Sequence, residues 1–137
     1  MIPNPLAQYR QVQIRTSSPG ELLIALYDGL FRFLTVAKLT LPQPAKRGQA
    51  GEAISRAYAI ISELYASLDH SQYPELCKNL EAVYDFCMVR LTYANLHNSP
   101  PAIEEVMRVL TPIREAFVVA VREVASSQPQ AAGAARR

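Results

Sequence analysis

Two histidines, two cysteines and a thin scatter of carboxylates are the residues that could do chemistry in this chain. His70 follows Asp69, a pairing that could suggest a base with its orienting carboxylate. Neighbours at a predicted helix end do not form such a relay, and His97 lies at a helix end as well. A phosphotransfer bundle needs an exposed histidine in mid-helix with positive charge beside it, which neither supplies. A di-iron bundle needs inward-facing ExxH pairs, and the sequence contains none. Cys77 and Cys87 are ten positions apart on one predicted helix, about 15 Å of rise, too far for a disulfide. Lys78 adjoins Cys77, but a buried, unreactive thiol is the expectation there. There is no CxxC, no HExxH and no glycine-rich phosphate loop. The chain is expected to be no enzyme, and to need no cofactor and no metal.

The elements around these residues are helices. The chain has 137 residues, half of them apolar and 19% charged, which suits one domain with one core. Its formal charge of +2 is spread thinly, without the basic stripe of a nucleic-acid binder. "MIPNPLAQYRQ" lacks the pattern of a signal peptide, no apolar run is long enough to span a bilayer, and free thiols suit a reducing cytosol. A cytoplasmic location without membrane insertion is expected.

Helical periodicity predicts four long helices. The first starts with a capping box at Ser18 and Glu21 around Pro19 and runs to about Leu41, where "LPQP" stops it. The second spans about Gln49 to Leu68, with a seam of Ile54, Ala57, Ile61, Leu64 and Leu68. The third begins near Pro74 and ends near "NLHNSPP"; its inner face is Leu76, Leu80, Val83, Cys87, Leu91 and Ala94. The fourth begins near Pro101 with Ser99 as cap, and its seam runs from Ile103 through Val106, Leu110, Ile113 and Phe117 to Val124. Pro112 lies inside it and should bend or break it. The predicted fold is all-α: an antiparallel four-helix bundle with a short N-terminal segment packed on it. Residues 1–125 form the single domain, and 126–137 form a disordered tail.

The helices carry more apolar surface than one buried stripe each requires. On the third, Ala82, Phe86, Val89 and Tyr93 form a second row beside the core stripe, with Tyr84 and Met88 on the other flank. On the first, Leu22, Ala25, Gly29 and Val36 form a second row, with Ile24 and Phe31 opposite. On the second, Tyr58 and Tyr65 edge the seam and Ile60 falls outside it. Either the core is wide, or these rows line a groove for an amphipathic segment. Leu6, Tyr9, Val12 and Ile14 lie in a piece too short to be a stable helix alone; it either covers such a groove or acts as a plain N-terminal clasp. A third possibility is a symmetric homo-oligomer that hides the same rows against themselves. Burying one large apolar side chain is worth about 1.5–3 kcal/mol, against about 2–5 kcal/mol for ordering a flexible partner. Roughly six to eight anchors therefore suffice for tight binding, and two or three do not.

From Leu6 to Phe117 the chain resembles the flagellin-specific export chaperones, the FliS family. The resemblance is carried by Tyr9, "TSSPGELLIALYDG", "AISRAYAIISEL" with "SLD", "NLEAVYDFCMVRLTYAN" and "AIEEVMRVLTPIREAF", in that order and spacing. It implies a cytoplasmic helical chaperone that binds the disordered C-terminal segment of flagellin, blocks premature polymerisation and keeps the subunit competent for type III export. It further implies handover, as the chaperone–flagellin complex, to an export-gate protein at the membrane, and an N-terminal segment that occupies part of the same surface when flagellin is absent. By matched position, Leu6 and Tyr9 take the place of the family's apolar N-terminal pair. Tyr27 with Asp28, and Tyr84 with Asp85, fall on its aromatic–acid pairs, and Asn79 and Asn95 are similar to family positions. The chain departs from the family's pattern at "SQYPEL", where a Gly-Gly turn is usual, at Pro112, and at Phe117, where Trp is common.

Overall fold

A computed structural model describes residues 18–127. Four helices account for nearly all of them: α1 (Pro19–Thr40), α2 (Arg47–Ala66), α3 (Pro74–His97) and α4 (Pro100–Ser127), with a 3-10 turn at Pro44–Lys46 before α2. No strand occurs among the described residues.

Each boundary has a local cause. At the start of α1 the Ser18 hydroxyl accepts from the Glu21 amide at 3.2 Å, and the Glu21 carboxylate accepts from the Ser18 amide at 3.2 Å. That closes the capping box, with Pro19 in the first turn, where its missing N–H costs nothing. At the end of α3, Asn98 takes the left-handed conformation (φ 50°), and the Ser99 amide reaches back to the Ala94 carbonyl. The Ser99 hydroxyl then caps α4 by accepting from the Ala102 amide at 3.3 Å. Only two residues separate α3 from α4, so the chain must reverse direction there.

α1 packs on α2 and α4, and α3 packs on the same two, so the helices form a closed square. The pairs run antiparallel: Gly51 near the start of α2 faces Asn95 near the end of α3, and Gly20 at the start of α1 faces Val121 near the end of α4. A Cβ on Gly20 would stand 2.8 Å from a Val121 methyl, so glycine lets these helix ends approach closely. The core runs along the axis through Leu30, Leu34, Ile61, Leu64, Leu91, Ile103 and Leu110, all nearly or wholly sealed.

Several expectations need correction. The second row of α1 is less open than its spacing suggests: Ala25 and Gly29 are buried, and Leu22 and Val36 are half-buried. Ile60, expected outside the α2 seam, is buried in the core. Leu76 was expected inside, yet it is half exposed in the first turn of α3, at the end of the bundle. Pro112 does not end α4, which continues through it. The proline faces solvent, so the Arg108 carbonyl that loses its amide donor lies on an exposed turn. The α4 seam is fully buried only as far as Leu110; Phe117 is half-buried and Val124 is 56% exposed. With 28 residues to the 22 of α1, α4 is about 9 Å the longer, and its last turns have less to pack against. Ser126 and Ser127, expected in the tail, belong to α4. The remainder of that tail and the N-terminal segment lie outside the described residues.

Candidate functional site

α3 has one side on the core and one in water. Its inner face holds Leu80, Tyr84, Cys87, Leu91 and Ala94. The outward row stays open: Phe86 is 40% exposed, Val89 67% and Tyr93 43%, and Ala82 is exposed beside them. The i, i+4, i+7, i+11 spacing sets these four along one side of a straight helix. Leu96, 74% exposed, continues the row. It was not singled out from the sequence, although its three-residue step from Tyr93 was a sufficient signal.

One border of the row is the cleft between α3 and α2. Ser62 meets the Met88 sulfur at 3.7 Å across it, and Ile54, Ser55, Tyr58, Thr92 and Asn95 line a hollow of about 210 Å³ further along. Tyr58 is 40% exposed on that rim, and Tyr65 is half-buried on the same side of α2. On the border towards α4, the Arg90 guanidinium binds Glu105 at 2.5 Å and lies 4.5 Å over the Tyr93 ring. The His97 ring lies tilted against Tyr93 as well, with centroids 4.3 Å apart. Tyr93 is thus held in one orientation by a cation and a ring, ordered before any partner arrives.

Two aromatic candidates have a different position. Tyr27 and Tyr84 are sealed in the core, where their hydroxyls bond each other at 2.5 Å between α1 and α3. Burial is the first cause that raises the pKa of both, so both stay neutral. Phe117 tilts against Tyr27 with centroids 5.6 Å apart, filling the place of the larger ring that the resemblance suggested. Tyr27 and Tyr84 were candidates for partner contact; inside the core they position the site and offer no surface, and the candidates Ala25 and Gly29 are buried as well. Beside Tyr27, Asp28 accepts from Arg114 at 2.7 Å and ties α1 to α4. Leu22 lines a second cleft of about 350 Å³, formed with Leu23, Leu26 and Leu64 between α1 and α2. A groove of about 560 Å³ lies between Ser18–Glu21 and the α4 residues Ala120, Val121, Val124 and Ala125. Leu6, Tyr9, Val12 and Ile14 lie outside the described residues.

For catalysis the arrangement provides little. His70 pairs with Glu81 at 3.1 Å on the surface. Burial pushes the Cys87 thiol up to about 12, where it is a poor nucleophile. No cluster of His, Cys, Asp or Glu that could hold a metal occurs among the described residues, and no described helix is long and apolar enough to cross a membrane.

A family model described as Flagellar protein FliS matches residues 2–124. The chain belongs to the FliS family. It is 40% identical over 114 residues to the flagellar secretion chaperone FliS of Salmonella typhimurium, covering 80% of this chain and 84% of that one. To its counterpart in Bacillus subtilis it is 31% identical over 121 residues, covering 88% and 89%. To that of Escherichia coli it is 34% identical over 105 residues, covering 76% of each. The family model spans the whole of α3, so the exposed row lies within a FliS-family domain.

Proposed function

We propose that the chain is a cytoplasmic secretion chaperone that binds the disordered C-terminal segment of flagellin and prevents its premature polymerisation. The complex is then presented to an export-gate protein at the membrane. The observation that carries this reading is the exposed row Ala82, Phe86, Val89 and Tyr93, bordered by the α2–α3 cleft, in a member of the FliS family. A row of this kind suits an amphipathic segment that places its own apolar side chains every third or fourth residue.

Magnitude decides how much surface such a client must use. The open fractions of Tyr58, Phe86, Val89 and Tyr93 amount to about two whole side chains, about 3–6 kcal/mol. Ordering the client costs about 2–5 kcal/mol and association entropy costs more, so this row alone is insufficient. Tight binding needs the client to continue into further hollows, and the cleft at Leu22 and the groove at Val121 are the available ones. A long, flexible client that wraps the bundle fits this requirement better than a single short helix.

Calorimetry with the C-terminal segment of flagellin tests the reading. Micromolar or tighter binding with a negative heat-capacity change supports it. Absence of binding, or a stable dimer by light scattering that buries the same row, overturns it.

A further inference from the structure

The ion pair between Arg90 on α3 and Glu105 on α4 is made through one nitrogen, with Nη2 donating to the carboxylate at 2.5 Å. A guanidinium serves a carboxylate best with two parallel N–H donors. Here the Arg90 Nε is buried and finds no hydrogen-bond partner among the described residues. A buried donor left unpaired costs stability, so a pair that only joined two helices would not be expected to leave it so. What this pose provides is a second contact. The guanidinium lies 4.5 Å over the ring of Tyr93, one turn further along α3. The His97 ring, another turn on, tilts against the same tyrosine with centroids 4.3 Å apart. A continuous chain of contacts therefore runs from Glu105, which lies off the apolar row, to an exposed aromatic within it.

We propose that Glu105 is a positioning residue for client binding: it anchors Arg90, and Arg90 with His97 holds Tyr93 in the orientation that the client meets. The inference rests on the client-binding reading and adds to it a residue on a different helix from the row. Its magnitude follows from rotamers. A tyrosine on a helix has two accessible χ1 wells, because the third drives the ring into the preceding turn. When only one well is competent to bind, the apparent affinity falls by the competent fraction. Free choice between two wells gives about a twofold loss, and a wider swing of the ring within each well adds to it, so losing the anchor should weaken binding about two- to fivefold. The attraction of an exposed cation for an aromatic ring is of the same order, about two- to fivefold in an equilibrium constant.

A double-mutant cycle tests it, with titration calorimetry of the flagellin C-terminal segment against wild type, Glu105→Ala, Tyr93→Ala and the double variant. Glu105→Ala should bind about two- to fivefold more weakly than wild type, whereas in the Tyr93→Ala background the same change should have an effect of less than about 1.5-fold. Glu105→Gln keeps an acceptor oxygen for Nη2 and should restore most of the affinity. In the free protein, three-bond couplings of Tyr93 should report one χ1 well in wild type and averaging between wells in Glu105→Ala, a change that a merely structural ion pair would not produce. If Glu105→Ala binds like wild type, or loses the same factor with and without the Tyr93 ring, the inference is overturned and the chaperone reading stands. A Tyr93 that keeps a single well in Glu105→Ala has the same consequence. A wild-type protein that binds no client overturns both. Glu105 is half-buried and alanine is a good helix former, so circular dichroism of Glu105→Ala should match wild type. An unfolded Glu105→Ala would assign the pair to the fold and would likewise overturn the inference.

Discussion

Replacing Val89 with serine separates binding from folding. Val89 is 67% exposed in the free protein. Full burial of a valine is worth about 2 kcal/mol, so about 1.3 kcal/mol is still available when a partner covers it, and about 0.7 kcal/mol already contributes to the fold. Valine and serine have similar helix propensities, which leaves the backbone terms nearly balanced. Val89→Ser should therefore lower Tm by about 2–4 °C and weaken the flagellin segment about eight- to tenfold. Val119→Ser is the control. Val119 is 53% exposed on α4, so its folding cost is similar, but it lies off the α3 row. Thermal melts and titration calorimetry on the three proteins read both quantities. If Val89→Ser binds within twofold of wild type, or if Val119→Ser loses as much affinity, the α3 row is not the docking surface and the reasoning fails.

Charged replacements in the same row should act more strongly. Phe86→Asp and Tyr93→Asp should each weaken client binding more than a hundredfold while the protein remains folded, because a docked partner desolvates the new carboxylate and water does not. A variant that unfolds assigns its position to the core. The buried tyrosine pair should show the asymmetry of a shared hydrogen bond: Tyr27→Phe leaves the Tyr84 hydroxyl without its partner and should cost about 1–3 kcal/mol at neutral pH, whereas the double phenylalanine variant should lie closer to wild type in urea melts. Both hydroxyls have raised pKa values, so the stability they contribute is fully present below the unfolded tyrosine value of about 10 and is lost as pH rises towards the folded values. Wild type should lose stability steeply above that pH, and the double variant should lose it less. Cys87, with its thiol pushed up to about 12 by burial, should resist a thiol reagent in the native protein and react fully in denaturant. Rapid labelling of the native protein would contradict the packing around it.

Much of the fold was legible because helices announce their ends. The Ser18 box, the prolines at 19, 74 and 100 and the "LPQP" stop mark breaks in the chain, and the three–four spacing marks the inner stripe. The breadth of each buried arc was less legible. Residues 25 and 29 look like a surplus row on α1 and are buried, because which side of a helix the rest of the chain covers is a tertiary fact that periodicity does not encode. Tyr84 was placed on a flank, yet it reaches the core and finds Tyr27 from another helix, 57 positions away in sequence. The outward row of α3 was legible because its spacing is regular and it lies away from the buried inner face.

An exposed apolar row threatens the protein that carries it, and the sequence of α3 shows how the threat is reduced. No two large apolar side chains of the row are adjacent in sequence: Asp85, Arg90 and Thr92 stand between or beside them, and Tyr93 is covered on two sides by Arg90 and His97. To another rigid surface the row is therefore a narrow strip bordered by polar and charged side chains, which limits nonspecific association. A flexible segment faces no such limit, because it can adopt a helix as it binds and place its side chains one after another along the strip. On the proposed reading, selectivity for an unfolded client comes from the spacing of these side chains, which the folded core of Leu30, Ile61, Leu91 and Ile103 keeps fixed. A substitution that loosens the core, such as Leu91→Ala at about 2–5 kcal/mol, should thus weaken client binding even in molecules that remain folded, because the row would no longer hold its register.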